Sequence, residues 1–312
     1  MLPKISVIIP VLNRQDLIIR CLESVRNQTV RPYELIIVDN NSSDATLDKV
    51  KTWIAGNKSF NIKIKLATEL QRGASFARQK GLEKAEGDYI IFFDSDDVMR
   101  KELIEVVSKK LRENPFADIA CWKCKIHLLG GGSKVPSFHP ENPVENHLIH
   151  TLLRTQGYAV KKELLYEVGG WSKNLPVWND FELGLRLLLR NPDIIGINKI
   201  LVDIYAQKDS LTGQEYSTKK GLWELSLREA EAECSRHGIP EKDKIYKILD
   251  YRKAILAAQY KHEDNNTSAK TLLTEALTDK KLFDRLVLYF AFFLTSLRIR
   301  GVWKLIRPFY GF

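Results

Sequence analysis

The feature that most restricts what this chain can fold into is the alternation of short apolar runs with stretches of helical period. Ile5 to Pro10, Leu35 to Val38 and Tyr89 to Phe93 are apolar almost throughout. Between them, Asp16 to Asn27 repeats apolar residues at helical spacing (Leu17, Ile18, Cys21, Leu22, Val25), and helices are predicted from about Ala45 to Ile54 and from Gly73 to Ala85. Ile62 to Leu66 alternates Ile with Lys, the pattern of an edge or half-exposed strand. Apolar strands joined by helices of about a dozen residues form βαβ units, so a parallel sheet covered on both faces is expected. Ligands of such sheets bind at the carboxyl ends of the strands.

After Lys101 the pattern loosens. A helix from about Glu102 to Glu113 and a strand from Ile119 to His127 are predicted, then a loop or tight hairpin at Gly130, Gly131, Gly132 and Ser133. Beyond Gly213 no strand is predicted. Helices are expected over Lys219–Arg236, Lys242–Tyr260 and Ser268–Leu277, with turns at His237-Gly238 and Glu263 to Asn266. An α/β domain over 1–212 and a helical region over 213–312 follow.

Hydrophobic residues at 44% and charged residues at 28% exclude a disordered chain. The net charge of +9 suggests an anionic partner, whether nucleic acid, phosphorylated substrate or acidic membrane. No nucleic-acid motif accompanies it and the basic residues are dispersed, so no nucleic-acid partner is expected. Cys121 and Cys124 form a lone CxxC; zinc requires a second pair, and two small apolar residues on a strand are the better reading. The six histidines lack metal spacing and read as surface or loop residues. The first residues lack the basic and small-residue marks of a signal peptide, which points to the cytoplasm.

The strand ends carry polar groups that a core does not require. The first ends in Pro10-Val11-Leu12-Asn13-Arg14 and the second in Asp39-Asn40-Asn41-Ser42-Ser43-Asp44, by itself a turn and helix cap. Arg78 on the third helix reads, by itself, as a solvated side chain. Asp94-Ser95-Asp96-Asp97 is harder to dismiss, because crowded carboxylates raise each other's pKa and a cation is the simplest compensation. Oxygen ligands at this spacing favour Mg²⁺ or Mn²⁺ completed by substrate phosphates. The same strand also fits a haloacid dehalogenase-type phosphohydrolase, with Asp94 as nucleophile and Asp96 as acid/base.

SVIIPVLNR (6–14), YELIIVDNNSSD (33–44), QRGASFARQKGL (71–82), GDYIIFFDSDD (87–97) and GGWSKNLPVWNDFELGLRL (169–187) resemble, in order and spacing, family-2 glycosyltransferases. The resemblance implies an inverting enzyme of the α/β nucleotide-binding GT-A fold, with 1–100 as nucleotide-binding half and 101–212 as acceptor half. It implies a nucleoside diphosphate sugar donor, of UDP type, and a saccharide or lipid-linked acceptor in cell-surface glycan synthesis. Pro10, Val11, Asn13, Asp39, Arg78, Asp94 and Ser95 would hold the nucleotide and Asp96 the divalent metal. Asp180 matches the catalytic base, with Trp178, Asn179 and Glu182 on the acceptor side. Two departures stand out. Asn179 replaces the family's Glu, and Gln207 falls where relatives carry a metal-binding His, with Lys208 able to supply charge instead.

The end of the chain has its own pattern. Leu286 to Leu297 is apolar, too short to span a bilayer, and followed by Arg298, Arg300, Lys304 and Arg307 with interleaved Trp303, Phe309, Tyr310 and Phe312. This suits an in-plane anchor on an anionic membrane; the other reading is a terminal helix packed on the protein.

Overall fold

The computed structural model describes residues 2–57, 61–207, 215–236 and 242–310. The expected boundary at 212–213, the turn at His237-Gly238 and Lys208 lie outside the described residues. The first half is β1 (Ile5–Val11), α1 (Ile18–Arg26), β2 (Glu34–Asp39), α2 (Thr46–Gly56), β3 (Lys63–Thr68), α3 (Ala74–Lys84) and β4 (Tyr89–Phe92). Next come β5 (Val98–Met99), α4 (Leu103–Glu113), β6 (Ile119–His127), β7 (Ser133–Lys134), α5 (Pro143–His150), β8 (Tyr158–Lys161), α6 (Lys162–Glu167), α7 (Asn179–Leu188) and β9 (Ile194–Tyr205). The rest is helical: α8 (Leu222–Arg236), α9 (Lys242–His262), α10 (Asn266–Leu277), α11 (Leu282–Ser296) and α12 (Val302–Ile306).

One sheet runs β3-β2-β1-β4-β8-β6-β9-β5, with β7 paired to β6. The first four strands are parallel, and β3 is the half-exposed edge that the Ile/Lys alternation predicts. The short β8 lies antiparallel between β4 and β6, so the sheet is mixed across its centre. No periodic signal announces β8, because its four residues find their partners only in the assembled sheet.

Alternate residues of β1 serve the two faces. Ile5, Val7, Ile9 and Val11 pack with Ile18, Leu22 and Val25 of α1, whereas Ile8 packs with Ala77 and Leu82 of α3 and with Leu183 and Leu187 of α7. Helix α3 approaches closely because a Cβ on Gly81 would lie 2.3 Å from the Ile8 side chain. That contact brings the next turn back, where Arg78 sits, to the ends of the strands. Helix α7 is buried on two sides. Leu183 and Leu187 face the sheet, while Phe181 and Leu185 join a second core built with α5, α8, α9, α10 and α11.

Two expectations need correction. The histidines are not all surface or loop residues: His147 on α5 is fully buried, bonded to the Phe181 carbonyl at 2.8 Å and accepting the Leu153 N–H at 3.2 Å. Burial pushes its pKa down to about 4, so its ring is a neutral part of the core. Helix α11 fits neither reading of the C-terminal segment alone. Val287, Leu288, Ala291 and Thr295 are buried, while Leu282, Phe283, Leu286, Tyr289, Phe290, Phe293 and Leu297 are exposed on the other side. Among the described residues no helix is long and apolar enough to cross a membrane. Cys121 and Cys124 are, as expected, buried on β6 with free thiols, both pushed up to about 12 by burial.

A Cβ on Gly184 of α7 would lie 2.2 Å from the His147 ring, which its two hydrogen bonds hold in place. Replacing a helical glycine by alanine ordinarily gains about 1 kcal/mol, but overpacking a fixed ring costs about 1–3 kcal/mol. Gly184→Ala should therefore lower stability by up to about 2 kcal/mol in urea unfolding. A gain in stability would show that the ring can move aside.

Candidate active site

Parallel register sets β1 beside β2 so that Pro10 faces Val38 and Val11 faces Asp39. Just beyond, Asn13 takes a left-handed backbone (φ 49°), which asparagine tolerates better than most residues. Its N–H donates to Ser42 Oγ at 3.1 Å, and its Oδ1 accepts the Ser43 N–H at 2.9 Å. The two strand ends are thus stitched into one rim. Asp39 is 2% exposed; Oδ2 accepts the Ser42 N–H at 3.2 Å, whereas Oδ1 is buried with no partner. A buried acceptor left unpaired costs about 1–3 kcal/mol, so the rim favours a ligand that brings a donor.

Asn40 continues the construction. Its amide donates to the carbonyls of Glu69 and Gln71, and its Oδ1 accepts the Gly73 N–H at 2.8 Å, which fixes the start of α3. Arg78 is consequently buried rather than solvated. Its Nη2 pairs with Asp94 Oδ1 at 2.7 Å, Nη1 reaches Asn179 Oδ1 at 3.5 Å, and the guanidinium lies over the Trp171 ring at 4.5 Å.

At the end of β4 three acids crowd together. Gln156 Nε2 donates to Asp94 Oδ2 at 2.6 Å and also to Asp97, whose other oxygen accepts the Tyr205 N–H at 2.9 Å. Burial, then Asp94 and Asp96, push Asp97 well above the usual carboxylate range. Asp96 is also raised, by burial and then by Asp94, with Arg14 Nε opposing at 3.5 Å. Ser95 between them is buried. Asp94 has both oxygens engaged, which does not suit the nucleophile that a phosphohydrolase requires.

The third wall is the start of α7. Trp178, left-handed at φ 48°, turns the chain into the helix. Asn179 donates to Ser75 Oγ at 3.0 Å and so ties α7 to α3. Asp180 is half-buried, and its Oδ1 accepts the Phe181 N–H at 2.9 Å. Burial raises its pKa; the nearby Arg78 pulls the other way and Asp94 raises it further. Glu182 is not presented to a ligand, because both its oxygens bind Arg186, at 2.5 and 2.8 Å. Gln207 follows β9, where its amide donates to the Tyr205 carbonyl at 3.2 Å.

Among the described residues no three His, Cys, Asp or Glu side chains converge into a closed metal cage. Asp96 nevertheless suits a hard divalent cation. It is a carboxylate in a low-dielectric site among like charges, opposed by a single guanidinium at 3.5 Å. Mg²⁺-type ions are commonly held by one or two carboxylates together with substrate phosphates.

The sequence profile described as "Glycosyl transferase family 2" matches residues 6–157, which contain the rim, Arg78 and the acid cluster. The chain carries a family 2 glycosyltransferase domain. A cholesterol galactosyltransferase of Borreliella burgdorferi is 26% identical over 76% of this chain and 69% of that protein. A poly(ribitol-phosphate) beta-glucosyltransferase of Bacillus spizizenii is 35% identical over 48% of this chain and 24% of its own length. The chain thus spans 69% of the first relative's length and 24% of the second's. Among solved structures, S. aureus TarS 1–349 in complex with UDP-GlcNAc superposes with a TM-score of 0.71 at 20% identity, covering 98% of this chain and 92% of that one. The mannosyltransferase PcManGT from Pyrobaculum calidifontis, in complex with GDP-Man and Mn²⁺, gives 0.60 at 21% identity over 99% and 85%. These likenesses bear on the fold, a GT-A-type α/β domain with a helical C-terminal region.

Gln156 is the residue that sequence reading missed. It stands outside the five motifs, and nothing in its local pattern shows that the turn before β8 delivers it between two aspartates that follow β4. Gln156→Leu leaves Asp97 with one donor and Asp94 with Arg78 alone, at a cost of about 1.5–3 kcal/mol for a hydrogen bond to a charged group. Urea unfolding at neutral pH should register that loss; an unchanged midpoint would mean that the amide contributes nothing to the cluster.

Proposed function

We propose that this domain transfers a sugar, with inversion, from a nucleoside diphosphate sugar to a hydroxyl of a saccharide or lipid-linked acceptor in cell-surface glycan synthesis. The observation that carries this reading is the opposition of two differently prepared sites around Arg78. On one side lie the unpaired Asp39 oxygen and the acid cluster; on the other lies Asp180 with its raised pKa. UDP is the favoured carrier. The ring N–H of uracil is the kind of donor that Asp39 lacks, and the TarS structure holds UDP-GlcNAc. The names of the relatives, which include transfer to a ribitol-phosphate polymer and to cholesterol, support a polymeric or lipid-borne acceptor.

In this reading Pro10, Val11, Asn13 and Asp39 seat the base, and Asp94 and Ser95 lie along the ribose and phosphates. Arg78 holds Asp94 in place. A divalent cation, Mn²⁺ or Mg²⁺, would be held by Asp96, with Gln207 at the neighbouring strand end as a further oxygen donor, and would stabilise the departing diphosphate as a Lewis acid. Asp180 takes the proton of the acceptor hydroxyl on the far side of the anomeric carbon, and one base suffices for inversion by direct displacement. Trp178 and Asn179 line the acceptor side.

The same reading puts the reaction on the cytoplasmic face of a membrane. Exposed cations, Lys281, Arg285, Arg298 and Arg300, accompany the exposed apolar side of α11 in the chain. An apolar band accompanied by cations complements an anionic lipid surface.

Asp180→Asn should reduce transfer by about 10³-fold while leaving UDP binding by calorimetry intact; near wild-type transfer would remove Asp180 as base. In the wild type the raised carboxyl should make the rate fall, as pH drops, at a pH above the ordinary aspartate range, because Asp180 is lost as a base once protonated. Asp96→Ala should weaken UDP binding in the presence of Mn²⁺. For the membrane, Phe283→Ser with Phe290→Ser should release the full chain from anionic vesicles in co-sedimentation. Equal pelleting of both proteins, or self-association through this face without vesicles, would exclude the bilayer as its occupant.

A further inference from the structure

Helix α9 sends Arg252 back toward the site, and no catalytic role above uses it. Its guanidinium lies 4.5 Å from the Trp178 ring centroid and 5.2 Å from that of Phe181, the two aromatic residues on either side of Asp180 in the chain. Its Nε is buried without a hydrogen-bond partner. Of the neighbouring arginines, Arg78 pairs with Asp94 and Arg186 with Glu182, and Arg154 donates to the His150 carbonyl at 2.7 Å. Arg252 forms no ion pair among the described residues; burial lowers its pKa, opposed only by Tyr216, Tyr251 and the more distant Asp180. A guanidinium held against aromatic rings can still offer N–H donors, and its planar fork matches an oxyanion.

Resting on the glycosyl-transfer reading, we propose that Arg252 is a specificity-determining residue that holds a phosphate group of the acceptor beside Asp180. Trp178 and Phe181 hold the guanidinium near the start of α7, and the helical region thereby contributes a side chain to a site otherwise built by the α/β domain. Arg78 and Arg154 are further cations in the field of Asp180, and Arg78 is already paired with Asp94; this surplus of positive charge favours a phosphate, with its several oxygens and greater charge, over a carboxylate. The acceptor is then a phosphodiester or lipid-linked phosphate whose sugar or polyol hydroxyl reaches Asp180.

The test uses the full chain saturated with UDP, titrated by calorimetry with sn-glycerol 3-phosphate, with glycerol as the neutral control and glycerate as the carboxylate control. Vesicles containing phosphatidic acid, added to the full chain carrying Phe283→Ser and Phe290→Ser so that α11 does not adsorb, separate a lipid-borne from a soluble phosphate. Glycerol phosphate or the vesicles should bind the wild type, and Arg252→Gln should weaken that binding by about tenfold or more. Arg252→Lys keeps a cation over Trp178 but loses the fork, and should weaken it nearly as much. Retained UDP affinity in both variants shows that they are folded. Binding independent of Arg252 in both arms, tighter binding of glycerate, or no phosphate binding by a wild type that takes UDP would each overturn the assignment. Failure of the wild type to bind UDP would instead overturn the functional reading on which it rests.

Discussion

A single buried guanidinium joins the parts on which the site depends. Arg78 leaves α3, pairs with Asp94 at the end of β4, lies over Trp171 and reaches Asn179 at the start of α7. A charge can be buried at such a point only if it is paired and hydrogen-bonded, so the geometry of one constrains the others. Asp180 is held in place indirectly, since its helix begins where Arg78 and Ser75 hold Asn179. Asn179 is therefore a structural tie between α3 and α7.

The acid cluster shows how the fold maintains an unfavourable arrangement. Asp94, Asp96 and Asp97 follow an apolar strand, and each raises the others' pKa or is raised by them. Gln156, the Tyr205 N–H, Arg14 and Arg78 relieve part of that repulsion. The remainder falls on the buried Asp97 and on the less enclosed Asp96, the one of the two that a cation and a diphosphate would better satisfy.

Helix α7 gives the helical region more than an accessory place. Phe181 and Leu185 belong to the core that this region shares with α5, while Leu183 and Leu187 belong to the core under the sheet. His147 and Gly184 lock α5 against α7. The C-terminal helices thereby brace the segment that bears Asp180, and α11 keeps an apolar side facing outward.

Much of this was legible in the residues alone. Apolar runs of four to six residues can hardly avoid becoming buried strands, the Ile/Lys alternation of Ile62 to Leu66 fits only a half-exposed edge, and the polar clusters after β1, β2 and β4 have to gather at one end of a parallel sheet. Local period and composition decide such features, because they depend on neighbours in the chain. The pairing of β8, the burial of His147, the inward turn of Arg78, the engagement of Glu182 by Arg186, and the delivery of Gln156 and Arg252 were decided only by the tertiary structure. Each depends on a partner a helix or a domain away, and whether a polar side chain is solvated or buried is settled by what packs over it, which no local pattern records.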